Sequence, residues 1–385
     1  MNELYPYYFD YAASTPMDPL VLDEMTLFLE SPESVANFSS SHSLAYAVQS
    51  TLNEKVQLIQ NKLDLDAHEL IFTSGATESL NYVLRGFSNK YPNAKIITSN
   101  LEHSVTYKVL DQIPLNKVFI SNNSNAEIDL NELEASLKVA PSLVSLIHVN
   151  NEIGTINELD EVSYLCRKYD AKLHIDASQT LGKTRFDHLF QLADYITFSA
   201  HKFYGPKGVG ILFKKKDELL PSLIIGSEHF GRAGTLPTHQ IVGCLKSLSL
   251  IIENPYEKNS DIHKAEQHLE NEILACNAFI LNAKNANRAR SILSITIPGV
   301  HAQSLQQMIT PYIISVGSAC NSLSTEPSRV LKAIGLGDGL ANSTIRISIG
   351  RFTKIKDIDL MLEKLINCSN MLKKISSGIP DWFLK

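Results

Sequence analysis

Residues 172–213 read KLHIDASQTLGKTRFDHLFQLADYITFSAHKFYGPKGVGILF, and the order of the apolar runs in this stretch decides the fold. Three short β-rich runs, at 172–176, 195–199 and 209–213, end in small, polar or glycine residues. Working outward, similar runs at 70–73, 95–99 and 144–149 alternate with helical patterns such as 44–63 and 159–169. Short apolar strands separated by helices predict an α/β fold with a mainly parallel sheet covered on both faces. Ligands of such a sheet bind beyond the carboxyl ends of its strands. Ser74-Gly75, Asn150-Asn151, Ala177-Ser178 and Ala200-His201 are thereby expected along one edge.

The texture changes at Asn254-Pro255-Tyr256. A polar-faced helix at 258–275, alternating strands at 291–297 and 343–349, and helices at 303–309 and 356–373 predict a smaller α+β domain. The expected division is a large domain over 15–255 and a small one over 1–14 and 256–385, with the extended start Tyr7–Tyr11 docking onto a domain. A chain of 385 residues suits two cores better than one. With 44% hydrophobic and 20% charged residues, and a net charge of −6 with cations thinly spread, nucleic acid is not an expected partner. The run Lys214-Lys215-Lys216 is expected to be a solvated strand end. The first residues do not read as a signal peptide, and no apolar run approaches a membrane span, so the default expectation is cytoplasmic, with no membrane partner. Five scattered cysteines form no C-x-x-C pair, and no metal site is expected.

Several residues at the predicted strand ends could carry chemistry. Lys202 follows a strand and precedes the tight turn Gly205-Pro206, a rigid setting for a lysine that forms Schiff bases. Asp176 ends a strand about one strand–helix–strand unit earlier, although a carboxylate there can also cap a helix. Such a pair is what pyridoxal phosphate requires: an amine for the aldehyde and an anion that keeps the pyridine nitrogen protonated. Phe72-Thr73-Ser74-Gly75-Ala76-Thr77-Glu78 runs from strand to helix through small residues, a place for a phosphate, with Ser199, His201 and Thr235 as further donors. His103 could stack on a ring and exchange protons, and Asn151 could bond cofactor or substrate. Arg346 interrupts a strand pattern and could fork onto a carboxylate, or be an edge-strand charge. Cys320 lies among small and polar residues without periodicity, as an accessible thiolate nucleophile or a free surface cysteine without function would, whereas the other four cysteines sit where inert buried thiols are expected.

These segments together resemble the cysteine desulfurases of the NifS/IscS type, in the class V aminotransferase group. The likeness runs from Tyr8-Phe9-Asp10-Tyr11-Ala12-Ala13-Ser14-Thr15-Pro16 to about Arg351 and includes the strings at 72–78, 148–154, 174–179, 199–208 and 317–327. It implies the fold-type I architecture of pyridoxal-phosphate enzymes, a homodimer with sites at the subunit interface, and conversion of L-cysteine to L-alanine. The sulfur passes to Cys320 as a persulfide, for iron–sulfur cluster assembly, thio-cofactor or nucleic-acid thiolation pathways. The resemblance also implies that Lys202 bonds the aldehyde and shuttles a proton, Asp176 pairs with the ring nitrogen, Gln179 with the ring hydroxyl, and His103 covers the ring. Ala76, Thr77, Ser199 and His201 would hold the phosphate, with Thr235 coming from the other subunit, while Asn151 and Arg346 orient the substrate. Phe38 and Ala45 stand where proline and glycine are usual in the family, and the turn 225–230 is less glycine-rich. The alternatives are an aminotransferase or selenocysteine lyase of the same group, or a catalytically silent binding partner of a sulfur carrier.

Overall fold

The computed structural model describes residues 6–138, 141–317 and 327–376. The first part of the chain forms α1 (Pro19–Glu30), α2 (Ser43–Leu63), β1 (His68–Thr73), α3 (Ala76–Lys90), β2 (Lys95–Ser99), α4 (Ser104–Leu110), β3 (Asn116–Ile120), α5 (Leu130–Leu137) and β4 (Ser142–Ile147). There follow α6 (Asp160–Lys168), β5 (Lys172–Asp176), α7 (Leu189–Leu192), β6 (Tyr195–Ser199), β7 (Gly210–Lys215), the short β8 (Glu228–His229) and β9 (Arg232–Ala233), and α8 (Thr238–Glu253). The last part holds α9 (Ser260–Ala275), β10 (Ile280–Leu281), β11 (Ile292–Thr296), α10 (Ala302–Met308), β12 (Ser315–Val316), α11 (Arg329–Ala333), α12 (Asp338–Ala341), β13 (Thr344–Ser348) and α13 (Ile355–Ser376).

Seven strands form the main sheet in the order β1-β7-β6-β5-β4-β2-β3. The pairs from β3 to β6 are parallel, as expected. Strand β7 runs antiparallel to both β6 and β1. The link from β6 to β7 is too short for a crossover helix, and only a crossover returns a chain parallel to itself. Two reversals restore the direction of β1, so the carboxyl ends of β1, β2, β4, β5 and β6 open on one edge. Strands β2, β4 and β6 are buried along their whole length, which is why they read as continuous apolar runs. The edge strand β3, with its exposed and half-buried residues, lacks that signature and has no counterpart among the expected strands. Helix α2 shows how the covering layer is specified: Ala45, Val48, Leu52, Val56 and Ile59 recur at helical spacing and are its buried residues.

A second sheet, β10-β11-β13-β12, is antiparallel and has its own apolar core with α9, α10 and α13. The extended start of the chain docks here, with Tyr8 and Asp10 bridging Ile313 and Ser348, and Phe9 buried in this core. It then crosses to the first core, where Thr15 N donates to the carbonyl of His201 at 2.8 Å.

Two expectations are corrected. Lys214 is not solvated: it is 4% exposed, pairs with Glu69 at 2.8 Å and donates to the carbonyl of Glu218 at 2.6 Å. The cause is that β7 lies inside the sheet, so residue 214 is covered. Cys276 is half-buried at the end of α9 rather than buried, whereas Cys166, Cys244 and Cys368 are buried. Among the described residues no helix is long and apolar enough to cross a membrane.

Gly210 opens β7 where the chain after β1 crosses it. A Cβ there would lie 2.7 Å from Gly75 Cα and 2.8 Å from the carbonyl of Phe198, neither of which can yield without moving backbone. Gly210→Ala is therefore expected to lower stability by about 1–3 kcal/mol, the usual cost of overpacking. The fall is read from urea or thermal unfolding midpoints against an exposed control such as Gly339→Ala, whose Cβ would meet nothing within 4 Å.

Candidate active site

At the common strand edge lies a cleft of about 620 Å³. His103, Asn151, Asp176, Gln179, Ser199, His201, Lys202, Ala76, Thr77 and Arg346, all singled out from sequence, line it together. Thr235 does not; it is exposed, just beyond β9. Cys320 lies outside the described residues.

The turn between β1 and α3 forms one wall. Gly75 caps α3 with φ of 145°, a conformation that side chains avoid. The first bonds of the helix run from Glu78 N and Ser79 N to the carbonyl of Gly75, leaving the amides of Ala76 and Thr77 ahead of the internal ladder. Glu78 steadies the turn by accepting from Ser74 N at 2.8 Å and from Arg232 Nε at 2.8 Å. Two free amides at a helix start favour an anion.

The opposite wall is made by β5 and β6. Asp176 ends β5 and is 4% exposed, with Oδ1 accepting from Ser178 N at 3.0 Å and from Ser178 Oγ at 2.5 Å. It lines the cleft and caps the following turn, which is not a helix. Gln179 is 2% exposed; Nε2 donates to the carbonyl of Ala12 at 2.7 Å, while Oε1 is buried with no partner among the described residues. Lys202, in the 3-10 turn after β6, donates from Nζ to the carbonyls of Ala12 at 2.7 Å and Ala13 at 2.8 Å. The N-terminal segment therefore positions both the lysine and the glutamine.

His103 caps α4, its Nδ1 accepting from Val105 N at 3.2 Å. Burial holds its pKa below the ordinary histidine value against the opposing pull of Asp176, which favours the neutral ring. Burial first, and then the cations of Lys202, Lys207 and Lys183, pushes His201 down to about 4. His201 stays neutral and hydrogen-bonds through Nδ1 with Ser14 Oγ at 3.2 Å.

Arg346 is not on an edge strand, because β13 lies between β11 and β12. It is 2% exposed; Nη1 donates to the carbonyl of Asn151 at 2.7 Å, and Nη2 to Asp10 Oδ1 at 2.7 Å and Ser315 Oγ at 3.1 Å. Its Nε is buried and unpartnered among the described residues, a donor left over for an incoming anion.

The carbonyls of Ala12 and Ala13, the hydroxyl of Ser14, and Lys207 escaped sequence reasoning as cleft residues. The string 8–16 had marked the first three only as a likeness. Glu102 was missed as well. It is fully buried, accepts from Ser99 Oγ at 2.6 Å and has its pKa raised by burial to about 8, so it is a neutral acid at pH 7. Its folded-state pKa exceeds the unfolded one, so the folded chain binds the proton more tightly. The associated stability is complete below about pH 4.5 and is lost as pH rises through about 8. Glu102→Gln, neutral at all pH, is expected to flatten the decline of the melting midpoint between pH 5 and 8; parallel profiles for the two proteins would contradict the assignment.

A family model described as aminotransferase class-V matches residues 7–361. The chain is 35% identical over 390 residues to the cysteine desulfurase IscS of Salmonella paratyphi C (strain RKS4594), the match covering 98% of this chain and 95% of that one. It is 35% identical over 387 residues to a protein of the same name from Klebsiella pneumoniae subsp. pneumoniae, again over 98% and 95% of the two chains. Among solved structures it matches a NifS-like protein from Rickettsia africae with a TM-score of 0.86 and 27% identity, over 94% of this chain and 99% of that one.

Proposed function

This chain belongs to the class V aminotransferase family, among its cysteine desulfurases, and on that premise we propose that it uses pyridoxal phosphate to take sulfur from L-cysteine onto Cys320, releasing L-alanine. The observation that carries the reading is the single cleft shared by Lys202, Asp176, Gln179, His103 and the head of α3. Those residues fit the cofactor. Ala76, Thr77, Ser199 and His201 suit the phosphate, Asp176 the ring nitrogen and Lys202 the aldehyde. The orphaned Oε1 of Gln179 is an acceptor waiting for a hydroxyl, and the ring hydroxyl supplies one. When bound, pyridoxal phosphate offers an aldehyde carbon to the substrate amine and a ring that takes up the electron pair freed at the substrate Cα.

The protein's own residues do the rest. Arg346, with Asn151, would receive the substrate carboxylate and so fix the orientation of the substrate Cα in the cleft. Lys202 would move a proton at the substrate Cα, and His103, which lines the same cleft, would exchange one. The Cys320 thiolate then attacks the substrate sulfur: an S–S bond forms, the Cβ–S bond breaks, and its electron pair goes to Cβ, which takes a proton and leaves as alanine. Cys320 is left as a persulfide for an acceptor.

We also assign 15–255 to a cofactor-binding domain and 1–14 with 256–385 to a smaller one; the two most extensive apolar clusters support this, one drawn from 15–255 apart from Tyr11 and the other from Phe9 and 262–368, while smaller clusters around Ile153 and Ile292 join the two parts. A homodimer, with Thr235 serving the partner's phosphate, agrees with the exposure of that residue and with its not lining its own cleft.

The test is the release of alanine and sulfide from L-cysteine with excess reductant. Wild type should yield both in equal amounts, and Cys320→Ser should keep its cofactor and lose at least ~100-fold in rate. A Cys320→Ser protein with undiminished activity would remove Cys320 as sulfur acceptor and favour a selenocysteine-lyase-type reaction. A wild type that makes no alanine would refute the desulfurase reading.

A further inference from the structure

Lys183 is a buried lysine that the proposed reaction does not use. It is 5% exposed and lies in the turn that leaves β5, just after Asp176 and Gln179. Its Nζ donates to the main-chain carbonyl of Lys202 at 3.1 Å. Gly182 beside it has φ of 74°, and a Cβ there would lie 3.2 Å from Ile251 Cδ1, so the turn is held against α8. Lys183 is thus a strut between the strand end that carries Asp176 and the one that carries Lys202.

The charges around this strut are unbalanced. Among the described residues no carboxylate lies within 4.0 Å of Lys183, although paired lysines are common elsewhere in the chain. The acid that acts on it is Glu266 of α9, which belongs to the second core and is fully buried. Glu266 is itself engaged: Tyr256 OH donates to Oε2 at 2.6 Å and His263 Nδ1 lies 3.7 Å away, while Oε1 has no partner among the described residues. Arg290 and Glu270 face Glu266 in turn, and the other charges acting on Lys183 are Lys202 and Arg346, both cations. A buried ammonium beside a second amine disfavours the charged form of that amine. A neighbouring cation is one of the recognised ways of freeing a lysine to attack a carbonyl carbon.

Resting on the functional reading above, we propose that Lys183 is a positioning residue for Lys202: it fixes the turn that carries Lys202 through its carbonyl, and while it holds its proton it disfavours a second charge on the Lys202 amine. Burial first, then Lys202, depresses Lys183 to about 7, so this charge is present below pH 7 and fades above it.

The test is the visible absorption of the bound cofactor, titrated with pH in the holoenzymes of wild type, Lys183→Met, Lys183→Gln and Lys183→Arg. Lys183→Met and Lys183→Gln should move the titration midpoint upward by about one unit, a tenfold change in proton affinity. Both should lower kcat about tenfold or more while leaving KM for cysteine nearly unchanged, and Lys183→Met should lose cofactor faster on dialysis. Lys183→Arg, which keeps charge and donor, should restore the midpoint. Midpoints equal to wild type in the Met and Gln variants would overturn the proposal, as would an Arg variant that shifts like them. If neither uncharged variant folds, Lys183 serves the fold as a whole and the proposal also fails. A wild type that takes up no cofactor defeats the functional reading itself, which separates the two failures.

Discussion

The buried guanidinium of Arg346 is where separate parts of the chain become one site. It reaches from β13 of the second sheet to Asp10 of the N-terminal segment, to the main chain of Asn151 beyond β4, and to Ser315 of β12. A charge this deeply buried is tolerable only while its partners stay in place; removing one partner of a buried pair commonly costs about 3–5 kcal/mol. The cleft therefore depends on both cores being correctly apposed. Arg351 repeats the device nearby, donating to Asp18 Oδ2 at 2.7 Å while its guanidinium stacks over the ring of Tyr204 at 3.8 Å.

Burial also sets the electrostatics of the cleft. Glu102 and Glu152 are driven toward their neutral forms, to about 8 and about 7, and His201 toward neutral imidazole at about 4. Glu152 uses its carboxyl to accept from Ser328, which caps α11 just after the residues that hold Cys320. Thinning the charge in this way leaves a few ionised groups, such as Arg346, with their influence undiluted in a low-dielectric surround.

Much of this was legible in the sequence, for physical reasons. Strands buried on both faces announce themselves as apolar runs, so β2, β5 and β6 fall where the composition put them. The strand-edge rule put Ser74-Gly75, Asn150-Asn151, Ala177-Ser178 and Ala200-His201 along one edge before any relative was considered, and Ser74, Gly75, Asn151, Ser178 and His201 of these line the cleft. What stayed hidden were long-range pairings without local periodicity. Nothing in the string 8–16 says that the carbonyls of Ala12 and Ala13 hold Lys202, or that Asp10 meets a strand at the far end of the chain. The reversal of β7 could have been read from the short link after β6, and with it the covering of Lys214. Phe38 was noticed only as a departure; it packs against the rings of His229 and Phe230 at 5.0 and 5.6 Å, beside the hairpin that precedes Thr235.

The N-terminal segment is synthesised first yet finds its sheet partners, Ile313 and Ser348, only after nearly all of the chain exists. The same segment carries the Ala12 carbonyl that receives both Lys202 Nζ and Gln179 Nε2. Contacts of such separation are slow to form and come late in folding. Completion of the cleft is thereby tied to the last strand of the second sheet: a chain interrupted before β13 holds all seven strands of the main sheet, yet it lacks Arg346 and the Ser348 that Asp10 bridges.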